Sequence, residues 1–201
     1  MVEQSIWMQK VTADPGHSDW YIERFRAMAR AGDDLAGEAR FVDAMAPRGA
    51  RILDAGCGPG RLGGYLAKAG HHVVGVDVDP ALIAAAEQDY PGPQWLVGDL
   101  AELDLPARGI VEPFDVIVSA GNVMAFLAPS TRTQVLGRLR AHLSGDGRAA
   151  IGFGAGREYE FAEFLDDAAA AGFAPDLLLS TWDLRPFTDD SDFLVAILRP
   201  A

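Results

Sequence analysis

Residues 51–64 read RILDAGCGPGRLGG, and the reading of this stretch decides the fold. A short apolar run, Ile52 and Leu53, ends in a carboxylate, Asp54. Glycines follow at every second position, Gly56, Gly58 and Gly60, and a helical pattern begins near Arg61. The stretch predicts a buried strand, a glycine turn and a helix start. Glycine belongs in such a turn because the chain must adopt positive φ and let a ligand approach the backbone closely. Unpaired N–H groups at the helix start favour a negative group. Two patterns fit. Gly58, Gly60 and Gly63 satisfy G-x-G-x-x-G, the dinucleotide fingerprint, whereas Asp54 with Gly56, Gly58 and Gly60 satisfies D-x-G-x-G-x-G. A tight strand-to-helix turn that binds nothing also fits, so the rest of the chain must decide.

Downstream the chain alternates. After strand Ile52–Asp54 and helix Arg61–Ala69 comes HVVGVD, 72–77, a strand rich in β-branched residues and ending in an acid. Pro80 sits where a helix first turn tolerates proline and opens a helix to Gln88. Strand Trp95–Val97 runs into Gly98-Asp99-Leu100. Strand Phe114–Ser119 runs into Ala120-Gly121-Asn122. A helix over Thr131–Leu143 and a fifth strand, Ala149–Phe153, complete the series. A helix over Glu158–Ala171 and two strand-like runs, Asp176–Leu184 and Phe193–Leu198, predict an antiparallel hairpin at the sheet end. Strands alternating with helices predict a doubly wound, Rossmann-like, mostly parallel α/β sheet of seven strands.

Upstream, Met1 to about His17 shows no clear period, and Asp14-Pro15-Gly16 marks a break. From Ser18 the pattern turns helical, with Ser18 or Asp19 as cap and Tyr21, Phe25 and Met28 on one face. Gly32 ends that helix, and a second over Leu35–Met45 closes at Pro47. The organisation expected is an arm and helical cap or lid over 1–50 and a core over 51–201.

The bulk composition narrows the partners. The 201 residues carry 17 Lys and Arg against 29 Asp and Glu, a formal net charge of −12, with no basic cluster of the kind that tracks phosphates, so nucleic acid is disfavoured. The single cysteine, Cys57, excludes an internal disulfide and a multi-cysteine zinc site and fits a reducing, cytoplasmic compartment. No signal peptide is visible, and no apolar run approaches membrane-span length.

Ligands on such a sheet bind beyond the carboxyl ends of the strands. Strand one ends in Asp54 and the glycine loop. Strand two ends in Asp77, which can accept from both ribose hydroxyls, with Val78 beside it for a purine face. Strand three ends in Asp99, a partner for an exocyclic amine, and strand four in free carbonyls at Ala120 and Gly121, suited to an ammonium group. Four strand ends thus offer acceptors. A nucleoside with an amino-acid tail and a positive centre fits them better than a dinucleotide, which wants donors for two phosphates.

Over about Arg51–Phe153 the chain resembles the class I S-adenosylmethionine-dependent methyltransferases. ILDAGCGPGRLGG looks like the family's first motif, VVGVDVDP like its second-strand motif and VGDLAEL like its third. FDVIVSAGNV and LSGDGRAAIGF are similar to its later strands. The resemblance implies S-adenosylmethionine as cofactor. It implies that Gly56, Gly58 and Gly60 bed the methionine part, with Asp54 and Ala55 near its amino group. It implies further that Asp77 holds the ribose, with Val78 against the purine, that Asp99 and Leu100 frame the adenine, and that Ala120 and Gly121 receive the ammonium. Tyr21 with Arg24 or Arg26 is expected to hold the carboxylate.

An activated sulfonium methyl needs mainly alignment and exclusion of water. An oxygen nucleophile would want a base. The candidates are His17, Asp183 and Glu158, and no catalytic residue is assigned. The acceptor wall is expected from Trp20, Asn122, Phe126, Arg157 and Trp182, with Phe187 a further aromatic candidate, for a small, partly apolar molecule. His71 and His72 fall at the wrong end of strand two, and His142 sits late in a helix where its charge suits the dipole. Cys57 reads as a loop filler. No metal-ligand cluster stands out. The alternatives are an NAD(P)-dependent oxidoreductase, against which Asp54 and Asp99 speak, a non-catalytic S-adenosylmethionine sensor, and a group-transfer enzyme such as an aminopropyltransferase on the same fold.

Overall fold

A computed structural model describes residues 2–201. Three helices come first, α1 (Ile6–Ala13), α2 (His17–Ala31) and α3 (Gly37–Met45). The alternating core follows as β1 (Arg51–Ala55), α4 (Arg61–Lys68), β2 (His72–Asp77), α5 (Pro80–Asp89), β3 (Gln94–Val97), β4 (Phe114–Ser119), α6 (Arg132–His142), β5 (Leu143–Gly154), α7 (Phe161–Ala170), β6 (Phe173–Leu179) and β7 (Phe193–Pro200).

The seven strands lie in the order β3-β2-β1-β4-β5-β7-β6. β1 pairs in parallel with β2 and β4, and β5 in parallel with β4. β7 runs antiparallel to both β5 and β6. The chain thus works outward from β1 to β3, returns to β4 on the other flank, and finally threads β7 between β5 and β6. The switch point lies between β1 and β4, where helices leave in opposite directions and a crevice opens at the carboxyl ends. The sheet is buried on both faces. Leu53, Ile117, Ile151 and Phe153 face α6, α7 and the turns after β3 on one side, and Ile52, Val116 and Val118 face α3 and α4 on the other. Truncating a fully buried leucine such as Leu53 to alanine in such a core costs about 2–5 kcal/mol.

The glycine loop is shaped by packing as well as by φ. The Gly56 and Cys57 N–H groups both donate to the Val76 carbonyl, tying the loop to β2. Gly60, at φ 81°, caps α4, and a Cβ there would stand 2.7 Å from the Ala86 Cβ. Cys57 is buried against Ile83, Ala86 and Trp95, as a loop filler is.

The start of the chain departs from expectation. Residues 6–13 form a helix capped by the Ser5 side chain rather than an irregular arm. α2 begins at His17 behind Gly16, so neither Ser18 nor Asp19 caps it; Ser18 is buried inside the helix and bonds elsewhere. β5 starts earlier than expected because Leu143 already pairs with Phe114. β6 starts at Phe173 and ends at Leu179, ahead of the stretch 180–184, which turns away from the sheet. His142 ends α6, and its Nε2 accepts from the Leu105 N–H at 3.1 Å, tying that helix to the turns after β3.

Candidate active site at the carboxyl ends of the strands

The carboxyl ends of β1, β2, β3 and β4 open into one cleft. Gly56, Gly58, Asp77, Val78, Asp99, Leu100, Ala120 and Gly121 line it from the sheet side. Trp7 from α1 and Tyr21 from α2 line it from above, and Val123 and Phe126 from the turn after β4 close a flank. A parallel sheet brings these residues together because every strand presents the same end to the same edge.

Asp77 is the most constrained side chain here. One carboxylate oxygen accepts the Gly58 N–H at 2.8 Å and the other the Asp79 N–H at 3.0 Å. It therefore holds the glycine loop and the start of α5 together. Burial pushes its pKa up to about 6, against which those two backbone donors work. Asp54 is 2% exposed and accepts the Gly63 N–H at 3.0 Å. It lines a smaller space with Gly56, Gly58, Ala120, Tyr21 and Arg61 rather than the main cleft, and burial raises its pKa to about 7. The Asp99 side chain caps the turn after β3 by accepting the Ala101 N–H at 2.9 Å. Burial also raises the Tyr21 hydroxyl above its usual range.

A broader groove of about 510 Å³ adjoins the cleft and shares Trp7, Tyr21, Gly121 and Phe126 with it. His17, Trp20, Arg24, Asn122 and Arg157 all line this groove. His17 packs between Trp7, ring centroids 5.0 Å apart, and Trp20, 5.6 Å apart and stacked. Asn122 serves the scaffold as well: at φ 66° its Oδ1 accepts the Gly154 N–H at 2.8 Å.

Several expected residues lie elsewhere. Arg26 points away from the cleft and binds Asp89 at 2.8 Å and Glu23 at 2.9 Å, because its side of α2 packs on α5. Arg24 lines the groove, not the cleft, and lies 5.9 Å from the Trp20 ring centre. Ala55 is wholly buried in the core, and Gly60 faces Ala86 and Trp95. Trp182 packs on Phe41, centroids 5.7 Å apart, and over Gly152, where the missing Cβ leaves it room. Phe187 packs on Phe161. Asp183 is exposed and pairs with Arg185 and Thr181. Glu158 is exposed at φ 60°, its carbonyl taken by Arg132. None of Trp182, Phe187, Asp183 and Glu158 lines the cleft or groove.

The sequence reading missed Ser5, Leu82 and Leu127 in the cleft lining, and it missed Asp79 altogether. Asp79 is 2% exposed. Its Oδ1 caps α5 by accepting the Ala81 N–H at 2.9 Å, while its Oδ2 accepts from Trp7 Nε1 at 2.9 Å and Ser18 Oγ at 2.5 Å. The Asp79-Pro80 pair announces the cap. Nothing local announces the two bonds to the arm.

The architecture is that of the Rossmann-like α/β proteins with a seven-stranded sheet. A family model described as "Methyltransferase domain" matches residues 52–147. A TehB-like SAM-dependent methyltransferase from Corynebacterium glutamicum has the same fold with a TM-score of 0.88. It is 52% identical, and the match covers 94% of this chain and 100% of that one. The magnesium-protoporphyrin O-methyltransferase of Rhodobacter capsulatus is 31% identical over 155 residues, which cover 73% of this chain and 61% of the relative. A 1,6-didemethyltoxoflavin-N1-methyltransferase from Burkholderia thailandensis, solved with 1,6-didemethyltoxoflavin and S-adenosylhomocysteine, shares the fold. Its TM-score is 0.64 at 24% identity, covering 92% of this chain and 89% of that one. The chain spans 61% and 54% of the length of two of the curated relatives it matches. The chain belongs to the S-adenosylmethionine-dependent methyltransferases, whose cofactor is S-adenosylmethionine.

The residues present fit that cofactor. A Cβ on Gly58 or Gly121 would meet nothing closer than 3.8 Å, so both leave backbone open to a ligand. Two carboxylates line the cleft, and no Lys, Arg or His does among the described residues. That set suits hydroxyls, an amine and a cation, and would repel a pyrophosphate.

Proposed function

We propose that the chain transfers a methyl group from S-adenosylmethionine to a small-molecule acceptor seated in the groove beside the cleft. The observation that carries this reading is the pairing of Asp77 and Asp99 in a cleft without a cation, opening onto a groove of small-molecule size. The same observation weighs against NAD(P), whose phosphates would meet only carboxylates and backbone.

In this reading Asp77 accepts from the ribose hydroxyls and Val78 supports the purine. Asp99 and Leu100 frame the adenine, and Gly56 and Gly58 bed the methionine chain. Asp54 and the Ala120 and Gly121 carbonyls face the amino group, and the Tyr21 hydroxyl is the donor for the carboxylate. When bound, the cofactor supplies a methyl group already activated on a positively charged sulfur. The protein's own task is then to hold the acceptor in line and keep water out. Trp20, Asn122, Phe126 and Arg157 form the acceptor wall. Of the three base candidates only His17 lines the groove, so it is the residue to take a proton from an oxygen or nitrogen acceptor.

Residues 1–50 act as a lid on the core 51–201. Trp7 and Tyr21 supporting it from above and the two bonds to Asp79 favour this division. The acidic charge disfavours nucleic acid as the acceptor, and the single free cysteine suits the cytoplasm. No helix among the described residues is long and apolar enough to cross a membrane.

Calorimetry with S-adenosylmethionine, S-adenosylhomocysteine and NAD tests the reading. Both sulfur ligands are expected to bind, and Asp77→Ala to weaken them at least tenfold, since a hydrogen bond to a charged group is worth about 1.5–3 kcal/mol. NAD binding tighter than either would overturn it. Release of S-adenosylhomocysteine across a metabolite panel separates an enzyme from a sensor.

A further inference from the structure

The groove is a positive island on an acidic protein. Of the 17 Lys and Arg side chains, most are held by a carboxylate, as Arg26, Arg30, Arg40, Arg48, Arg51, Arg61, Arg132, Arg148 and Arg185 are. Arg108, Arg140 and Arg199 donate to backbone carbonyls. Among the described residues, Lys10, Arg24, Lys68, Arg138 and Arg157 have no such acceptor. Lys10, Arg24 and Arg157 all line the one groove, at its exposed rim, although they come from α1, α2 and the loop after β5.

The carboxylates in the groove do not compensate them. Asp34 is engaged by Arg40 at 2.6 Å and Glu38 by Arg61 at 2.9 Å. Three side chains from separate segments therefore concentrate uncompensated positive charge where the protein as a whole carries −12. Clefts lined by one sign of charge raise the local concentration of oppositely charged ligands. Between this rim and the cleft lies aromatic surface. Trp20 is 57% exposed, which is unusual for the largest apolar side chain, and His17 stacks on it. Phe126 continues that surface to the cleft.

We propose that the acceptor is a small planar aromatic molecule bearing an anionic group, its ring on Trp20 and Phe126 and its charge toward Lys10, Arg24 and Arg157. This rests on the methyltransferase reading above and adds the chemical class of its acceptor. The anionic end stays at the rim, and the atom that receives the methyl group points into the cleft. Charge repulsion keeps cationic amines out of the groove, so these are rejected as acceptors. Arg24 is assigned to the acceptor and not to the cofactor.

The test uses the full chain saturated with S-adenosylhomocysteine and ligand pairs that differ only in charge. Benzoate, 2-naphthoate and indole-3-carboxylate are each compared with the matching carboxamide by calorimetry or ligand-observed NMR, and benzoate with cyclohexanecarboxylate. At least one acid is expected to bind tenfold or more tightly than its amide, and benzoate at least threefold more tightly than its saturated counterpart. The acid preference is expected to fall to within twofold in the Arg24→Ala, Arg157→Ala double variant and to shrink as salt is raised. The Kd of S-adenosylhomocysteine stays within twofold in that variant, which also reports that the fold is kept. Amides that bind as well as acids, absence of binding by every acid, equal binding of the saturated acid, or a preference that survives in the double variant overturns the inference. Failure of S-adenosylhomocysteine to bind the native chain overturns the methyltransferase reading along with it.

Discussion

Replacing Asp79 by alanine is expected to release the lid from the core. The carboxylate accepts from Trp7 Nε1, 72 residues away in the chain, and from Ser18 Oγ, 61 residues away, both on one oxygen and both buried. Its other oxygen caps α5 at Ala81. A hydrogen bond to a charged group contributes about 1.5–3 kcal/mol, so the two arm bonds together bound the effect at roughly 3–6 kcal/mol before non-additivity. Much of that is recovered when Trp7 and Ser18 swing out and find water, which places the cost on lid closure rather than on global unfolding. Closure is therefore expected to weaken at least a hundredfold, about 2.8 kcal/mol at 1.4 kcal/mol per decade. Loss of the cap removes about 1 kcal/mol from the stability of the whole fold. Hydrogen exchange read by mass spectrometry separates the two effects. Amides of residues 6–30 are expected to exchange faster in Asp79→Ala by that factor, and α5 only modestly faster. Trp7→Phe, which keeps an aromatic ring there and loses one bond, should give about half that free energy, roughly tenfold. If α1 and α2 stay as protected in Asp79→Ala as in the native chain, Asp79 is only a helix cap and the lid is held by apolar contact alone.

Three further outcomes follow from the structure. Burial lifts Asp77 to about 6 and Asp54 to about 7, so the folded chain keeps these protons where the unfolded chain has lost them. Their contribution to stability is full below about pH 4 and is lost as pH rises through 6 to 7. Hydroxyl donors on Asp77 favour its charged form, so cofactor binding is expected to release a proton near pH 6 and to weaken by up to tenfold per unit below it. Calorimetry in two buffers of different ionisation enthalpy reads that proton, and a Kd flat from pH 5 to 8 refutes the assignment. Gly60→Ala places a Cβ 2.7 Å from Ala86 at a φ of 81°, and is expected to cost about 1–3 kcal/mol in chemical denaturation. An unchanged midpoint would show that α5 moves aside freely.

The sequence alone carried the sheet and most of the cleft, and the reason is that both are written locally. A short apolar run that ends at an acid or a serine, with glycine or proline close by, marks each of these strand ends, and a parallel sheet sends every such end to one edge. Gly56, Gly58, Asp77, Val78, Asp99, Leu100, Ala120 and Gly121 were legible on that ground, and all line the cleft. What lies above the strand ends was decided by tertiary structure. Arg24 and Arg26 are two residues apart on one helix and so point about 200° apart around its axis. Which of them meets the site depends on the face of α2 that docks on α5, and Asp89 took Arg26. Trp182 was an aromatic residue in a late loop, free to wall the site until Gly152 left space for it on the sheet. α1 has eight residues, too few to hold a helix alone in water, and its Trp7 anchor sits on Asp79 across the fold. The uncompensated charge of the groove belongs to the same class: Lys10, Arg24 and Arg157 come from three segments, and only the fold shows that their neighbours' carboxylates are already taken. Backbone pattern acts over a few residues and can be read along the chain, whereas pairing of side chains is a competition among all partners in reach, which exists only once the chain has closed on itself.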